Sequence, residues 1–385
     1  MIEEEYLGLA GEPVANELGW AKHKMRYDEH NLLIEEAWFG PDDKPVMLKE
    51  GYALRKQHYN DVGQVIEEAY FGTGGEPVVS EDGYSRITKA YEALGRLVEW
   101  AHFGIHGEKV IGTNDKVTGA KDPYHRAKVL RDETGNVLEF SAFGPDDKPI
   151  LLKAGYSRNE MRYDAADHLV EDGYFGVNGE PIVSDASGYS SAKFGFDSRG
   201  NPAEGAYFGI DGKLMTGKNG YAKYTKVYNA YGDPIEEDYF GTDGEPVMGN
   251  GGFARVTRSY DRAGHMTEEA YFGTDGKPIL QKDGYAKVKY SYDDLGPEIE
   301  RSYYGITGEP VIGKDQNAYH RAARELDLRG NPLELATFGL DGKPIEVVDS
   351  DSGRRCAKLV KQFDANNKQI DSQCFDAAGM LVLRQ

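Results

Sequence analysis

The chain has 385 residues, with 65 acids against 45 bases and a net charge of −20, which excludes nucleic-acid recognition through a basic, phosphate-neutralising face. Apolar residues make up 39%, enough for a core, yet no apolar run of roughly 18 residues offers a membrane-spanning helix. Two cysteines, Cys356 and Cys374, exclude a disulfide framework and leave one terminal staple open.

In chain order, a single phrase of the form EEAYFGTDGKPI recurs. Its central Gly falls at Gly8, Gly40, Gly72, Gly104, Gly144, Gly176, Gly209, Gly241, Gly273, Gly305 and Gly339, with Asp376 in the last copy. Most successive copies are 32 residues apart, the widest gap being 40, between Gly104 and Gly144. A period of this size predicts one tandem array over residues 1–385, not two or three globular domains. The opening MIEEEYLG starts partway through a copy and lacks the regions of a signal peptide, so an excised piece of a longer protein is expected. Residues 346–385 predict a degenerate capping copy.

Residues 284–311, GYAKVKYSYDDLGPEIERSYYGITGEPV, define one unit. Ala286, Val288, Tyr290 and Tyr292 alternate with Lys287, Lys289 and Ser291, the period-two pattern of a half-buried strand. After the turn DDLG a second alternating run passes Ile299, Arg301 and Tyr303, and a second turn leads to a short third segment at Pro310 and Val311. No stretch has a 3.6-residue period. The predicted class is therefore all-β: an elongated array of about 12 stacked β-hairpins, as a β-solenoid or a spiralling hairpin ribbon.

The turns predict their own backbone. The first has the form Tyr-Asp-x-x-Gly, with Asn31, Asp167 and Asn367 in place of Gly in three copies. The second carries Gly in ten copies and Asp43 or Asp147 in the other two. Gly, Asn and Asp tolerate a left-handed conformation best, as a type I turn closed by a bulge requires. Two aromatic columns then offer a spine. One precedes the central Gly (Phe39, Phe71, Phe103, Phe143, Phe175, Phe208, Phe240, Phe272, Tyr304, Phe338, Phe375). The other closes the first strand (Tyr27, Tyr59, Tyr91, Tyr163, Phe196, Tyr228, Tyr260, Tyr292, Phe363). Stacking lets each hairpin cover a neighbour that could not fold alone.

The element FDSRGN, residues 196–201, resembles the YD repeats of RHS-type bacterial surface and toxin proteins, in which a long hairpin ribbon coils into a spiral or hollow shell. YFGIDGKLMTGKNGYAKY, residues 207–224, resembles choline- and glucan-binding hairpin repeats, and a weaker likeness exists to MORN-type repeats. With only Trp20, Trp38 and Trp100 present, the architecture is carried over and the sugar or choline clefts are not.

The acid pairs Glu35–Glu36, Glu67–Glu68, Glu236–Glu237 and Glu268–Glu269 are strand neighbours pointing to opposite faces, which fits cross-strand ion pairs better than catalytic dyads. His102 and His106 flank a turn with no further ligand nearby, so no metal or other cofactor is expected. YHRA occurs at Tyr124–Ala127 and Tyr319–Ala322, both where the spacing is irregular, and is taken as a shared repeat variant. Two binding candidates remain. One is the ring after the Gly that opens the first strand: Trp20, Tyr52, Tyr84, Tyr156, Tyr189, Tyr221, Phe253 and Tyr285. Spaced one repeat apart, these could grip a glycan or an extended peptide; buried on both faces, they form a second core column instead. The other is the insertion at 111–123, with Thr113, Asn114, Asp115, Lys116 and Lys121. The expected function is a non-enzymatic scaffold of a bacterial surface or toxin-associated protein, binding protein or glycan, monomeric and not inserted in a membrane. The alternative is a soluble MORN-like interaction module of immunity or antitoxin type.

Overall fold

The computed structural model describes residues 2–113, 122–313, 319–349 and 353–383. Its regular elements are all β-strands, with no helix among the described residues. The chain is an all-β array of consecutive antiparallel hairpins. It divides into two compact units, residues 1–192 with 209–212, and residues 193–208 with 213–385.

In the first unit Lys22–Tyr27 pairs with Leu33–Phe39, then Leu54–Tyr59, Val65–Phe71, Arg86–Tyr91, Leu97–Phe103, Arg126–Arg131, Val137–Phe143, Arg158–Tyr163 and Leu169–Phe175, each antiparallel to the next. In the second, Pro202–Phe208 is followed in the same way through Lys223–Tyr228, Pro234–Phe240, Arg255–Tyr260, Met266–Phe272, Lys287–Tyr292, Glu298–Tyr304, Arg321–Leu326, Pro332–Phe338, Lys358–Phe363 and Gln369–Phe375. Two registers alternate. Within a hairpin the ladder runs from Leu54↔Phe71 to His58↔Glu67 and shifts at Tyr59, the expected bulge. Between hairpins it is short, Glu35↔Lys56 to Ala37↔Leu54. The third segment returns as one bridge, such as Phe71↔Pro77.

The turn chemistry is met residue by residue. Gly63 has φ 82°, and the non-glycine residues with positive φ are Asn31, Asp43, Asp147, Asp167 and Asn367, between 58° and 63°. Where Asp opens the turn, its side chain closes the loop. Asp28 Oδ1 accepts the backbone N–H of His30 (2.8 Å) and Leu32 (2.9 Å), and Asp261 does the same for Ala263 and His265.

The location of the core differs from the sequence expectation. Phe39, Phe71, Phe103, Phe240 and Phe375 are only half-buried. The Phe rings lie on the face opposite the core, several of them beneath strand cations: Lys24 is 4.7 Å from the Phe39 ring, Arg86 4.4 Å from Phe103 and Arg321 3.9 Å from Phe338. The more covered column is the residue before each Phe: Trp38, Tyr70, His102, Tyr271 and Tyr303 are buried and Tyr174, Tyr207 and Tyr239 half-buried, while Tyr6, at the start of the column, is exposed. Alternation puts Tyr70 and Phe71 on opposite faces without saying which face is buried. Tyrosine suits the buried side because its wet end finds a partner there. The hydroxyls of Tyr70, Tyr239 and Tyr271 donate to Glu68, Glu237 and Glu269 two residues earlier.

The column that closes the first strand is also half-buried, and it acts as a set of staples. The Tyr59 hydroxyl donates to the Leu33 carbonyl (2.7 Å), Tyr91 to Val65 (2.9 Å), Tyr228 to Pro202 (2.8 Å) and Tyr292 to Met266 (2.8 Å), each 26 residues back in the preceding hairpin.

Candidate functional site

Trp20, Tyr52 and Tyr84 are buried, Tyr156, Tyr189, Tyr221, Phe253 and Tyr285 are half-buried, and none of the eight is exposed. Each meets the pre-Phe column in an interleaved aromatic ladder. In the second unit the rings follow as Tyr207, Tyr221, Tyr239, Phe253, Tyr271, Tyr285, Tyr303 and Tyr319, with centroids between 4.5 and 6.0 Å apart. The first unit holds Tyr52–Tyr70 at 4.7 Å, Tyr84–His102 at 4.4 Å and Tyr156–Tyr174 at 4.9 Å. These rings pack against one another, some stacked, as Tyr221 on Tyr239, and others tilted or edge-on, as Tyr271 and Tyr285. Tyr124 and Tyr319 belong to the same column; the insertions before them mask that register in the sequence, and the shared YHRA motif is the signal that reveals it.

In both motifs the His stands where other hairpins carry a small residue such as Ala53 or Ser85. His125 Nδ1 lies 2.8 Å from the His102 carbonyl and His320 Nδ1 2.8 Å from the Tyr303 carbonyl. Burial pushes the His125 imidazole below its ordinary pKa. His102 sits in the ladder with Nδ1 3.1 Å from the Tyr124 carbonyl, whereas the His106 backbone N–H donates to Glu108 in an exposed turn. Among the described residues no group of three or more His, Cys, Asp or Glu is placed to hold a metal ion.

The acid pairs split between the two faces. Glu35 pairs with Arg26 (3.0 Å) and Lys56 (3.6 Å) on one face. Glu36 points to the other and meets Arg55, whose guanidinium also reaches Glu68 (3.5 Å) in the next hairpin. Arg258 repeats the arrangement between Glu237 (3.8 Å) and Glu269 (2.8 Å). These bridging arginines were not singled out by sequence reasoning; their signal is a cation in the first strand, in register with the second acid of each pair.

Of the insertion candidates, Asn114, Asp115, Lys116 and Lys121 lie outside the described residues. Thr113 is exposed, and its backbone N–H donates to the Asp82 carbonyl (2.8 Å). Gly112 N–H donates to the Tyr124 carbonyl (2.9 Å), so both flanks of the insertion are tied to the array. At the C-terminal end Cys356 and Cys374 form a disulfide. Cys356 occupies the ladder place of Tyr52, and Cys374 that of Tyr70.

No family model matches the sequence, and no curated protein matches it. The chain is similar to solved structures. The crystal structure of TcdB2-TccC3 overlaps 96% of this chain and 17% of that one, at 12% identity and TM-score 0.46. The Photorhabdus luminescens Tc holotoxin pore with the TccC3-D651A mutation overlaps 93% of this chain and 17% of that one, at 13% identity and TM-score 0.40. A porin-like protein from Bacteroides uniformis overlaps 66% of this chain and 87% of that one, at 10% identity and TM-score 0.17. The chain thus spans 17% of the length of the first two.

Proposed function

We propose that this chain is a non-enzymatic repeat scaffold of a bacterial surface or toxin-associated protein, binding a protein or glycan. One observation carries this reading: residues that recur from hairpin to hairpin serve contacts between hairpins. The ladder rings pack against each other, Tyr59 and its counterparts staple neighbouring hairpins, and Arg55 and Arg258 bridge acids of successive copies. Recognition then falls to what varies between copies, first the insertion after Thr113. The resemblance to YD repeats supports the bacterial surface or toxin setting. The terminal disulfide supports an oxidising compartment, where such bonds persist.

The test combines a glycan array, capture of cross-linked cell-surface proteins, and a panel of fluorogenic glycosides, esters and phosphates. The scaffold reading expects a saturable ligand and no turnover. Deleting residues 114–121 should abolish capture without changing the melting temperature. Turnover of any substrate by the purified chain would refute the non-enzymatic reading.

A further inference from the structure

Besides Cys374, which is held in the disulfide, the ladder has two places where the pre-Phe ring is missing, Ala142 and Thr337, and the structure treats them differently. Both hold the ordinary backbone position. Thr337 N–H donates to the Ala357 carbonyl (2.9 Å) and its carbonyl accepts from Ile345 (2.9 Å), as Tyr70 does with Ser85 and Val78. At Ala142 the lost volume is refilled from the neighbouring column. There Trp100 and Phe140 stand where other hairpins carry an acid such as Glu68, 6.3 Å from each other, and both join the core cluster that contains Ala142.

At Thr337 the corresponding residue is Leu335, and no ring fills the gap. Tyr319 ends the run of packed rings, and the next place in its column is Cys356, which is committed to the disulfide. What remains is a cavity of about 120 Å³ lined by Tyr319, Ala322, Leu335, Thr337, Cys356 and Leu359, with Arg324 also bordering it. An apolar cavity near 150 Å³ can take up a single benzene-sized ring.

We propose that this cavity is a binding site for a small uncharged single-ring aromatic molecule of phenol size, which takes the place that a tyrosine ring holds in the regular hairpins. The walls suit that guest. Tyr319 offers a ring on one side, as Tyr52 does to Tyr70, while Leu335, Leu359 and the disulfide supply the apolar remainder. The Arg324 guanidinium is already paired with Glu298 (3.1 Å), and Asp349 also borders the cavity, so an anionic guest gains no free cation and meets a carboxylate. The Thr337 hydroxyl donates to the Ile345 carbonyl (2.7 Å), which leaves an oxygen lone pair able to accept from a phenolic hydroxyl.

The experiment uses the full chain with phenol as the probe, read by saturation-transfer NMR and by thermal melting. Wild type should show saturable binding and a melting temperature that rises with phenol concentration. Thr337→Tyr fills the cavity from within and should weaken binding by at least about tenfold, while its own melting temperature stays at or above that of wild type. Should that variant fold poorly through overpacking, Leu335→Phe fills the same space from the column that Trp100 and Phe140 use, with the same expected loss of binding. Absence of saturable binding to wild type overturns the proposal. So does equal binding by wild type and a folded, filled variant.

Discussion

The Tyr59 hydroxyl donates to the carbonyl of Leu33, a residue in the preceding hairpin, at 2.7 Å. The tyrosine of the Tyr-Asp turn therefore spends its polar end on its neighbour's backbone, and the adjacent Asn60 closes its own loop by accepting the Val62 and Gln64 N–H groups. One dipeptide serves both the turn and the stacking.

Tyr59→Phe should cost about 1 kcal/mol, the net worth of one hydrogen bond, seen as a lower urea midpoint. Tyr163→Phe should cost less, because that hydroxyl meets a weak acceptor, the Met161 sulfur, at 3.8 Å.

The ladder sets a second contrast. Tyr70 is 1% exposed whereas Phe71 is half-buried under Lys56. Tyr70→Ala should cost about 3 to 5 kcal/mol through the cavity it opens, and Phe71→Ala clearly less. Equal losses in urea denaturation would return the core to the Phe face.

Arg55 sets a pH dependence. Burial works against the Glu68 charge, yet the Tyr70 hydroxyl and Arg55 hold its pKa below the ordinary 4.5. A lowered carboxyl contributes stability above its ordinary pKa and loses it as pH falls. Arg55→Met should therefore lower the melting temperature near neutral pH, with the difference shrinking below about pH 4.5.

Asp172 occupies the place of Glu68 and should behave oppositely. Asn159 replaces the arginine, and burial raises the Asp172 pKa above the ordinary 3.8. Its charge costs stability as pH rises through that raised value. Asp172→Asn should therefore raise the melting temperature at neutral pH, and the gain should disappear in acid below the ordinary carboxyl range.

Much of the fold was legible because local chemistry dictates it. Asn31, Asp43, Asp147, Asp167 and Asn367 stand in for Gly in the sequence, and all five adopt the left-handed backbone that only such residues take readily. The alternation that separates Glu35 from Glu36 likewise reads directly from the strand period. What the sequence hid is which face is covered, since Tyr70 and Phe71 are adjacent aromatics and burial depends on the neighbouring hairpin. The same holds for the candidate site. Trp20, Tyr52 and their counterparts are aromatic on either reading, and their packing rests on rings such as Trp38 and Tyr70 that belong to another strand. The Thr337 cavity is a missing contact, visible only once the ladder around it is known.

The central claim is that each hairpin is held by its neighbours through the ladder. Tyr239 lies 4.5 Å from Tyr221 and 5.7 Å from Phe253, so Tyr239→Ala removes a rung between hairpins. Hydrogen–deuterium exchange on that variant is the most direct measurement. The account predicts lost protection in the adjoining strands Pro202–Phe208 and Arg255–Tyr260, with Leu54–Tyr59 and Val65–Phe71 unchanged. Loss confined to the variant's own hairpin, Lys223–Tyr228 and Pro234–Phe240, would contradict it.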